Sequence, residues 1–501
     1  MAANKHRRKS AEKKRAPATA PAPAPAPASA ALTATDSKAR AATQAFARAA
    51  DLHRKGQLDQ AIREYSRAIL HNPHHADAYN NLGVALRVQG QFAAAVACYR
   101  RALALRPESA NIHSNMGNAF RDLGRFEDAA RSLQQALQLA PESPEYLYNL
   151  GLVHRDMGHA DHALAAFDRV LAAKPDHVEC HWDRALTHLR RGDLEPGFAE
   201  YEWRWKLKRS PPRAIAKPLW DGKPFANKIL FVHWEQGYGD TIQFVRFLPL
   251  AKRLGGTVIF ECQGDLTRLL ASADGVDKLV GAGSPPPEFD CHVPLLSLPW
   301  LLKITPATVP AKVPYLAVPP IGDKGIPILE PGALKVAIAW AGSPTNRDDR
   351  RRTCPFARFL DLAGVPGVAL YSIQRGRAAE ELPAALNGPL VLDVGRTCVD
   401  FADNAALLAQ MDLVISVDTS IAHLAGALGK PVWTLLSAVC DWRWMDEGER
   451  TPWYPTMRLF RQKTLGDWDG VFANVRAELA KAAARRAVPP LGGRINESPR
   501  V

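Results

Sequence analysis

Three kinds of sequence feature are missing from this chain of 501 residues, and each absence excludes a class of protein. Its seven cysteines are scattered, odd in number and without a C-x-x-C pair, which excludes a disulfide scaffold or a zinc ribbon and indicates a reducing compartment. No stretch approaches the uninterrupted apolar length, about 20 residues, that spans a bilayer. Alternating Pro and Ala follow the basic start where a signal peptide has its apolar core, so we expect a cytoplasmic protein without a transmembrane segment.

Much of the excess positive charge lies at the N-terminus. The formal net charge is +13, but residues 1–40 hold nine Lys and Arg against two acids. The rest of the chain is only mildly basic, so its charge does not predict a nucleic-acid partner. We predict that residues 1–41 form a disordered, basic and Pro/Ala-rich tail, with weak contact to an anionic surface as the alternative to a solubilising role. Residues 487–501 are predicted to be a second disordered tail.

A period of 34 residues runs through the first half of the chain. It is marked by Pro73, Pro107, Pro141 and Pro175, by Gly56, Gly90, Gly124, Gly158 and Gly192, and by Ala61, Ala95, Ala129 and Ala163. Small residues at helix crossings and turns let two antiparallel helices approach closely, and the pattern resembles tetratricopeptide (TPR) repeats. We expect an α-helical TPR solenoid of about five repeats over residues 42–209, whose degenerate last repeat caps the stack. Its groove would bind a protein, peptide or glycoconjugate, and its histidines do not predict a metal site.

Residues 210–227 form a Pro-rich linker, after which short apolar runs alternate with amphipathic segments. Runs such as Lys228–Trp234 and Thr257–Cys262 suit buried parallel strands, and Thr241–Leu254 and residues 377–386 suit helices. Two series of βα units, at residues 228–310 and 333–486, predict two Rossmann-like, doubly wound halves. We interpret a Pro-rich stretch at about residues 285–332 as separating the two series. Ligands would then bind in the cleft between them, at the carboxyl ends of the strands.

Polar and glycine-rich motifs follow two of these strands. Gly237 and Gly239 would permit close approach of a ligand, and Asp240 would place a carboxylate at the mouth of the cleft, unless it is a plain helix N-cap. The third glycine of a dinucleotide fingerprint is missing. After the first strand of the second series, a loop with Arg347 and Arg350 offers guanidinium groups that suit a diphosphate, although charged runs are more often solvated.

A third motif lies at residues 416–432. A buried strand ends in Asp418, Thr419 and Ser420, and a helix of small residues containing His423 follows. Unpaired backbone N–H groups, the helix dipole and the two hydroxyls would form an anion site. The alternative is an ordinary N-cap of a helix that packs on the sheet.

At these three motifs, and at Asp441–Trp444 and Trp453–Arg461, the chain resembles the bacterial TPR-fused relatives of the ADP-heptose:lipopolysaccharide heptosyltransferases. The resemblance covers about residues 228–465, and the architecture is also similar to that of TPR-bearing O-linked N-acetylglucosamine transferases. It implies a GT-B fold and a metal-independent, inverting glycosyltransferase that uses a nucleotide-diphosphate sugar and no cofactor. Heptose itself is not implied, because the Ser and Thr positions that would select it cannot be matched.

The resemblance also implies roles for individual residues. Asp240 would be the general base, and Arg350 would neutralise the leaving diphosphate where the family more often has Lys. Thr419, Ser420 and His423 would hold the phosphates. His423, like Asp240, is also predicted to be catalytic. The predicted nucleotide-binding set is completed by Gly237, Gly239, Gly342, Asn346, Arg347, Asp418 and Gly426.

Two alternatives to a glycosyltransferase stay open. One is a TPR adaptor whose GT-B module is inactive, and the other is a sugar-nucleotide epimerase or hydrolase of the same fold. The joint presence of Asp240, Arg350 and the Asp418–His423 motif favours the transferase. The string Asp467–Asp469 mimics a metal-binding D-x-D motif, but we interpret it as a turn and helix cap.

Overall fold

The computed structural model describes residues 28–208, 210–320, 331–343, 349–383, 386 and 390–487. The chain divides into two units, Met1–Ile112 and His113–Val501. Helices occupy the described part of the first unit. In the second unit, further helices precede two parallel sheets.

The first unit is built from helical hairpins. Its helices are α1 (Ala28–Arg54), α2 (Leu58–His71), α3 (Ala76–Val88) and α4 (Phe92–Leu105), and α5 (Ala110–Asp122) begins in it. Gly90 turns the chain between α3 and α4 at φ 80°. A Cβ on Gly83 would lie 2.6 Å from the Tyr99 ring, so the small residue allows the two helices to pack closely.

Helix α1 begins inside the predicted N-terminal tail. We expected disorder up to residue 41, whereas α1 begins at Ala28. The segment from there to residue 42 is rich in Ala, the residue with the highest helix propensity, which explains the helix. The remainder of that predicted tail, and the predicted C-terminal tail beyond Ala487, lie outside the described residues.

The helices of the second unit continue the repeat pattern and then alternate with strands. They are α6 (Phe126–Leu139), α7 (Pro144–Asp156), α8 (Ala160–Ala173), α9 (Val178–Arg191), α10 (Leu194–Tyr201), α11 (Tyr238–Phe244), α12 (Leu248–Lys252), α13 (Thr267–Leu270), α14 (Leu298–Leu301), α15 (Asp349–Arg352), α16 (Ala357–Ala363), α17 (Phe401–Ala409), α18 (Ser420–Ala427) and α19 (Trp468–Ala487). Short 3₁₀ turns connect several of them.

The strands form one four-stranded and one six-stranded sheet. They are β1 (Ile229–His233), β2 (Thr257–Cys262), β3 (Lys278–Gly281), β4 (Cys291–Pro294), β5 (Leu334–Ala339), β6 (Val368–Ser372), β7 (Val391–Asp393), β8 (Leu413–Val417), β9 (Val432–Leu436) and β10 (Met457–Arg461). The strand orders are β3-β2-β1-β4 and β10-β9-β8-β5-β6-β7. All of these pairings are parallel, which confirms the predicted α/β region of parallel sheets.

Three predicted elements differ from the structure. The helix expected over Thr241–Leu254 is divided into α11, a 3₁₀ turn and α12, because Pro249 has no N–H for a helical hydrogen bond and suits the first turn of a new helix. The helix expected near residues 377–386 is a 3₁₀ turn over Arg377–Glu381. Strand β4 lies inside a Pro-rich stretch that we interpreted as separating the two series of βα units.

The fifth repeat (α9 and α10) shares a hydrophobic core with the α/β region. Phe198 and Tyr201 are buried in the same cluster as Val232 of β1 and Phe244 of α11. The predicted linker also packs on the four-stranded sheet, since the backbone N–H of Trp220 donates to His292 O at 2.8 Å. The predicted linker at residues 210–227 therefore does not separate two independent cores.

In the part of the chain that the structure describes, no helix combines the length and the apolar character needed to cross a bilayer.

Candidate active site

A cleft of about 1320 Å³ opens where strands of both sheets end. Its walls come from the loops that follow the carboxyl ends of β1, β5, β6 and β8. In parallel α/β sheets this edge is where ligands bind, because helix starts and loops converge there. Its position agrees with the cleft expected from the sequence.

Most of the predicted site residues line this cleft. They are Gly237, Gly239, Asp240, Gly342, Asp418, Thr419, Ser420 and His423. Gly426 does not line it, because its Cα faces the Tyr454 ring, where a Cβ would lie 2.5 Å from Cδ1. Asn346 and Arg347 lie outside the described residues, and Arg350 lies in α15 with a side chain outside the described part.

Asp240 lies in the first turn of α11, after the loop that leaves β1. Its Oδ2 accepts the backbone N–H of Gly237 at 2.8 Å, and its Oδ1 accepts a hydrogen bond from Nη2 of Arg443. Gly237, not Asp240, is the N-cap residue of this helix. The interpretation of Asp240 as a plain N-cap is therefore wrong. Burial raises the pKa of Asp240, while the charge of Arg443 acts in the opposite direction.

Arg443 comes from the other sheet, in the 3₁₀ turn Trp442–Trp444 that follows β9. Its side chain is 8% exposed, and its Nε donates to Gln243 Oε1 at 2.5 Å. Its Nη1 donates to Oδ1 of Asp441 at 2.9 Å. Arg443 therefore connects the Asp240 loop to the loop after β9.

The start of α18 faces the cleft without a side-chain cap. Thr419 is the N-cap residue, but its hydroxyl makes no cap hydrogen bond and instead lies 3.0 Å from Ser416 Oγ. An ordinary N-cap would have satisfied one of the unpaired N–H groups in the first turn. Since Thr419 does not, this helix start keeps the donors and the positive dipole end that bind an anion.

Asp418 precedes this helix start and carries a perturbed carboxyl group. Burial and the neighbouring charge of Asp441 raise the pKa of Asp418 to about 6. Near neutral pH it can therefore change protonation state, which distinguishes it from an ordinary surface carboxylate.

His423 is a buried, neutral imidazole. Burial and the charges of Arg443, Arg246 and Arg352 hold the pKa of His423 well below its usual range. Its Nδ1 lies 2.9 Å from the Tyr454 hydroxyl, and its ring stacks on Trp444 at 5.2 Å. His423 can therefore act as a hydrogen-bonding group but not as a cation for phosphate near neutral pH.

Gly239 brings the Asp240 loop close to α18. A Cβ at this position would lie 2.9 Å from Cδ2 of His423 and 3.6 Å from Cα of Ser420. The glycine is needed for this approach between the two sheets, and not for the turn of a dinucleotide fingerprint.

Arg352 is a cleft residue that the sequence analysis missed. Its guanidinium lies against Gly342, where a Cβ would be 2.5 Å from Nη2. The prediction selected Arg350 from the same run of arginines, and the sequence contains no signal that selects one among them. Arg443 was also missed as a site residue, although it lies in a motif that supports the family resemblance.

Gln374, at the end of β6, shapes the loop after β5. Its Oε1 accepts the backbone N–H groups of Trp340 and Ala341 at 2.9 and 3.0 Å. Arg375 and Arg377 follow it in the wall of the cleft. A single glutamine after a strand carries no recognisable sequence signal, so these residues were not predicted.

The described residues contain no group of three or more His, Cys, Asp or Glu side chains that could hold a metal ion. In the D-x-D string, Asp467 accepts the backbone N–H of Gly470 at 2.9 Å, and Asp469 forms an ion pair with Arg358. These contacts confirm the interpretation of the string as a turn and helix cap.

Known protein families match the TPR repeats and the α/β region separately. Residues 51–87, 85–120 and 117–158 match the TPR repeat model, and residues 148–202 match the tetratricopeptide repeat model. Residues 377–453 match glycosyltransferase family 9 (heptosyltransferase). The predicted TPR repeats, and the heptosyltransferase-like character of residues 377–453, are therefore confirmed. The matched family 9 segment contains Asp418–His423 and Arg443, whereas Asp240 lies outside it.

Protein FlbA of Caulobacter vibrioides is 26% identical to this chain over 324 residues, which cover 58% of the chain and 53% of FlbA. The chain thus spans about half the length of this curated relative. Among solved structures, MamA is 23% identical to this chain, with a TM-score of 0.29. The match covers 31% of this chain and 91% of the MamA chain. PilF of Pseudomonas aeruginosa is 24% identical and covers 33% and 76%, with a TM-score of 0.31.

Proposed function

We propose that this protein is a glycosyltransferase of GT-B architecture. It transfers a sugar from a nucleotide-diphosphate sugar to a hydroxyl group of a protein or glycoconjugate that the TPR array selects. The observation that carries the proposal is the cleft in which the Asp240 carboxylate, from the four-stranded sheet, lies beside the uncapped start of α18, from the six-stranded sheet. The family 9 match of residues 377–453 supports the same class of reaction.

The diphosphate of the donor would bind at the start of α18. The N–H groups of the first turn and the dipole favour an anion there, and the Ser420 hydroxyl adds a donor. The guanidinium of Arg352 lines the same cleft beside Gly342. Since these groups can carry the charge of the leaving diphosphate, we propose that transfer is metal-independent.

Asp240 would act on the acceptor. The acceptor oxygen attacks the anomeric carbon, and its proton passes to the Asp240 carboxylate. The bond between the anomeric carbon and the phosphate oxygen breaks, and its electron pair leaves with the nucleoside diphosphate. A single displacement of this kind inverts the anomeric centre. The base contributes about 10²–10⁴-fold, and each preorganised donor on the leaving group about 10²–10³-fold.

The first experiment is a thermal-shift screen of the full chain against nucleotide sugars and free nucleotides. A ligand at 100 times its Kd stabilises the folded state by about 2.7 kcal/mol, which is easily measured. Transfer is then assayed with the donor that binds and with candidate acceptor proteins and glycans. If no nucleotide sugar binds or turns over, the proposal is wrong and the chain is better explained as a TPR adaptor.

Asp240→Asn tests the role of the base within this function. We expect transfer to fall by about 10²–10⁴-fold because the acceptor proton has no acceptor group, while donor affinity changes little. Asp265→Asn is the matched control, since Asp265 is another carboxylate in the wall of the cleft, hydrogen-bonded to the Tyr238 hydroxyl at 3.1 Å. Equal losses in both variants would remove Asp240 from its role as base.

A further inference from the structure

Arg443 is placed by packing from two directions. Its neighbour Trp442 packs edge to face on Phe198 of the fifth repeat, at 5.7 Å between ring centroids, and on Trp453 at 5.7 Å. The backbone N–H of Arg443 donates to Asp441 Oδ1 at 3.0 Å. The turn that carries this arginine is therefore fixed by the last TPR repeat and by the loops of the six-stranded sheet.

The donors of the guanidinium are directed at protein groups. Its Nε, Nη1 and Nη2 donate to Gln243, Asp441 and Asp240. Two carboxylates thus flank its single positive charge, which leaves little of that charge for a diphosphate. The guanidinium of Arg352 is the better placed cation for that purpose, since it lies against Gly342 in the same cleft.

We propose that Arg443 is a positioning residue of the transfer reaction: it orients the Asp240 carboxylate and keeps it in the ionised form that accepts the acceptor proton. This inference rests on the proposed function. It implies that the turn after β9, which the fifth repeat holds in place, supports the function of a carboxylate on the opposite sheet.

The charges around Asp240 favour this role. Burial raises the pKa of Asp240, and the negative charge of Asp441 raises it further. Arg443 lowers the pKa, with help from the Gly237 N–H group. The phenol of Tyr201 also faces this group, and burial raises the pKa of Tyr201 to values at which it stays neutral.

Two more titratable groups lie close by. His423 is neutral, because burial and nearby arginines lower its pKa. Asp418, which interacts with Arg443, carries a pKa that burial and Asp441 raise to about 6. Within this set, Arg443 is the cation in contact with Asp240.

The pH dependence of kcat tests the inference. Arg443→Gln should lower kcat by about 10²-fold near neutral pH, because the base is misplaced and more often protonated. The acidic limb of the pH profile of kcat should move to higher pH in this variant, and kcat should partly recover in alkaline buffer. The donor KM should change little. Arg443→Lys keeps the charge and should lose less. Arg352→Gln is the contrasting variant, and should raise the donor KM without moving the acidic limb.

Asp441→Asn gives a test with the opposite sign. Asp441 raises the pKa of Asp240, so its neutralisation should move the acidic limb to lower pH. Movement in opposite directions for the two variants supports the inference. An unmoved limb in Arg443→Gln, or an increase in donor KM that accounts for its whole loss, would overturn it. Movement to higher pH in Asp441→Asn would also contradict it.

A measurement without turnover separates this inference from the proposed function. The side-chain carboxyl of Asp240 is titrated by ¹³C NMR of aspartate-labelled protein, with Asp240→Asn used to assign the resonance. The midpoint should rise in Arg443→Gln and stay nearer the original value in Arg443→Lys. If the unmodified protein transfers no sugar, the proposed function fails, while this titration still decides whether Arg443 holds Asp240 ionised. An unchanged midpoint in both variants refutes the inference.

Discussion

Phe198 is the residue at which the shared core of the fifth repeat and the α/β region can be tested. Its side chain is 1% exposed and packs edge to face on Phe244 of α11 at 6.3 Å. Replacing it with Ala removes the ring and leaves a cavity, which costs about 3–5 kcal/mol. This is a large share of the roughly 5–15 kcal/mol that stabilises a typical domain.

The location of the damage tests this reasoning better than its size. Amide hydrogen exchange, read peptide by peptide, reports the free energy of opening each region. In Phe198→Ala we expect exchange in β1 and α11 to accelerate by about two to four orders of magnitude, since each 1.4 kcal/mol is a factor of ten. Phe167→Ala is the matched control, because Phe167 is equally buried but its core cluster contains only residues of α6 to α9. Its effect should stay within those helices.

One result would refute the reasoning. If Phe198→Ala accelerates exchange in α9 and α10 but leaves β1 and α11 at their original rates, the fifth repeat is an ordinary end cap. The α/β region would then have a core of its own. Denaturant unfolding of both variants serves as the check that the two substitutions lower the unfolding free energy by similar amounts.

Three further predictions concern charge and space. Asp156 is fully buried, and although burial alone would raise its pKa, Arg121 and Arg155 lower it well below the ordinary value. Asp156→Asn should cost about 3–5 kcal/mol in denaturant unfolding at pH 7. The difference should shrink as pH falls below about 4, because the unfolded state of the original protein then binds a proton that the folded carboxylate does not. Asp418 has a folded-state pKa of about 6, above its unfolded value, so its contribution to stability is lost as pH rises from about 4 to 6. Asp418→Asn should therefore raise the unfolding free energy by about 3 kcal/mol at pH 7 and change it little at pH 4, and a loss at pH 7 would contradict the assigned shift. Gly239→Ala places a methyl group against the buried His423 ring, so it should cost about 1–3 kcal/mol in stability and weaken donor binding. Gly237→Ala is the control, because its Cβ meets only the Asp240 carboxylate, at 3.2 Å. It should lower both stability and donor affinity by less.

The sequence predicts elements well where one local signal determines them. Strand β2 coincides with its prediction, because Thr257–Cys262 is rich in β-branched and aromatic residues and lies between turns. The helix over Thr241–Leu254 was predicted as continuous, since Pro249 is compatible with the apolar pattern even though it interrupts the hydrogen bonding. Strand β4 was missed because only four residues pair, and its pairing with β1 depends on tertiary contacts that the local pattern does not contain.

The site could be predicted in part for the same reason. Asp418 and Ser420 lie within three residues of the end of β8, and Asp240 lies in the first turn of the helix that follows β1, so the rule for parallel sheets identifies them. The pairing of Asp240 with Arg443 joins residues 203 positions apart, and no local pattern indicates it. Arg352 lines the cleft and lies in a run of three arginines at residues 350–352, which contains no local signal of which side chains face a ligand.

The fifth repeat also limits how such a chain can be recombined. A break at residue 209 would remove Tyr201, whose hydroxyl lies 3.1 Å from Gln236 Nε2, and Arg204, which donates two hydrogen bonds of 2.9 Å to Glu235. Both of these partners belong to the loop that leads to Asp240. A chimaera that joins a different TPR array to this α/β region should therefore be spliced between α8 and α9, so that the fifth repeat is inherited with the cleft it supports.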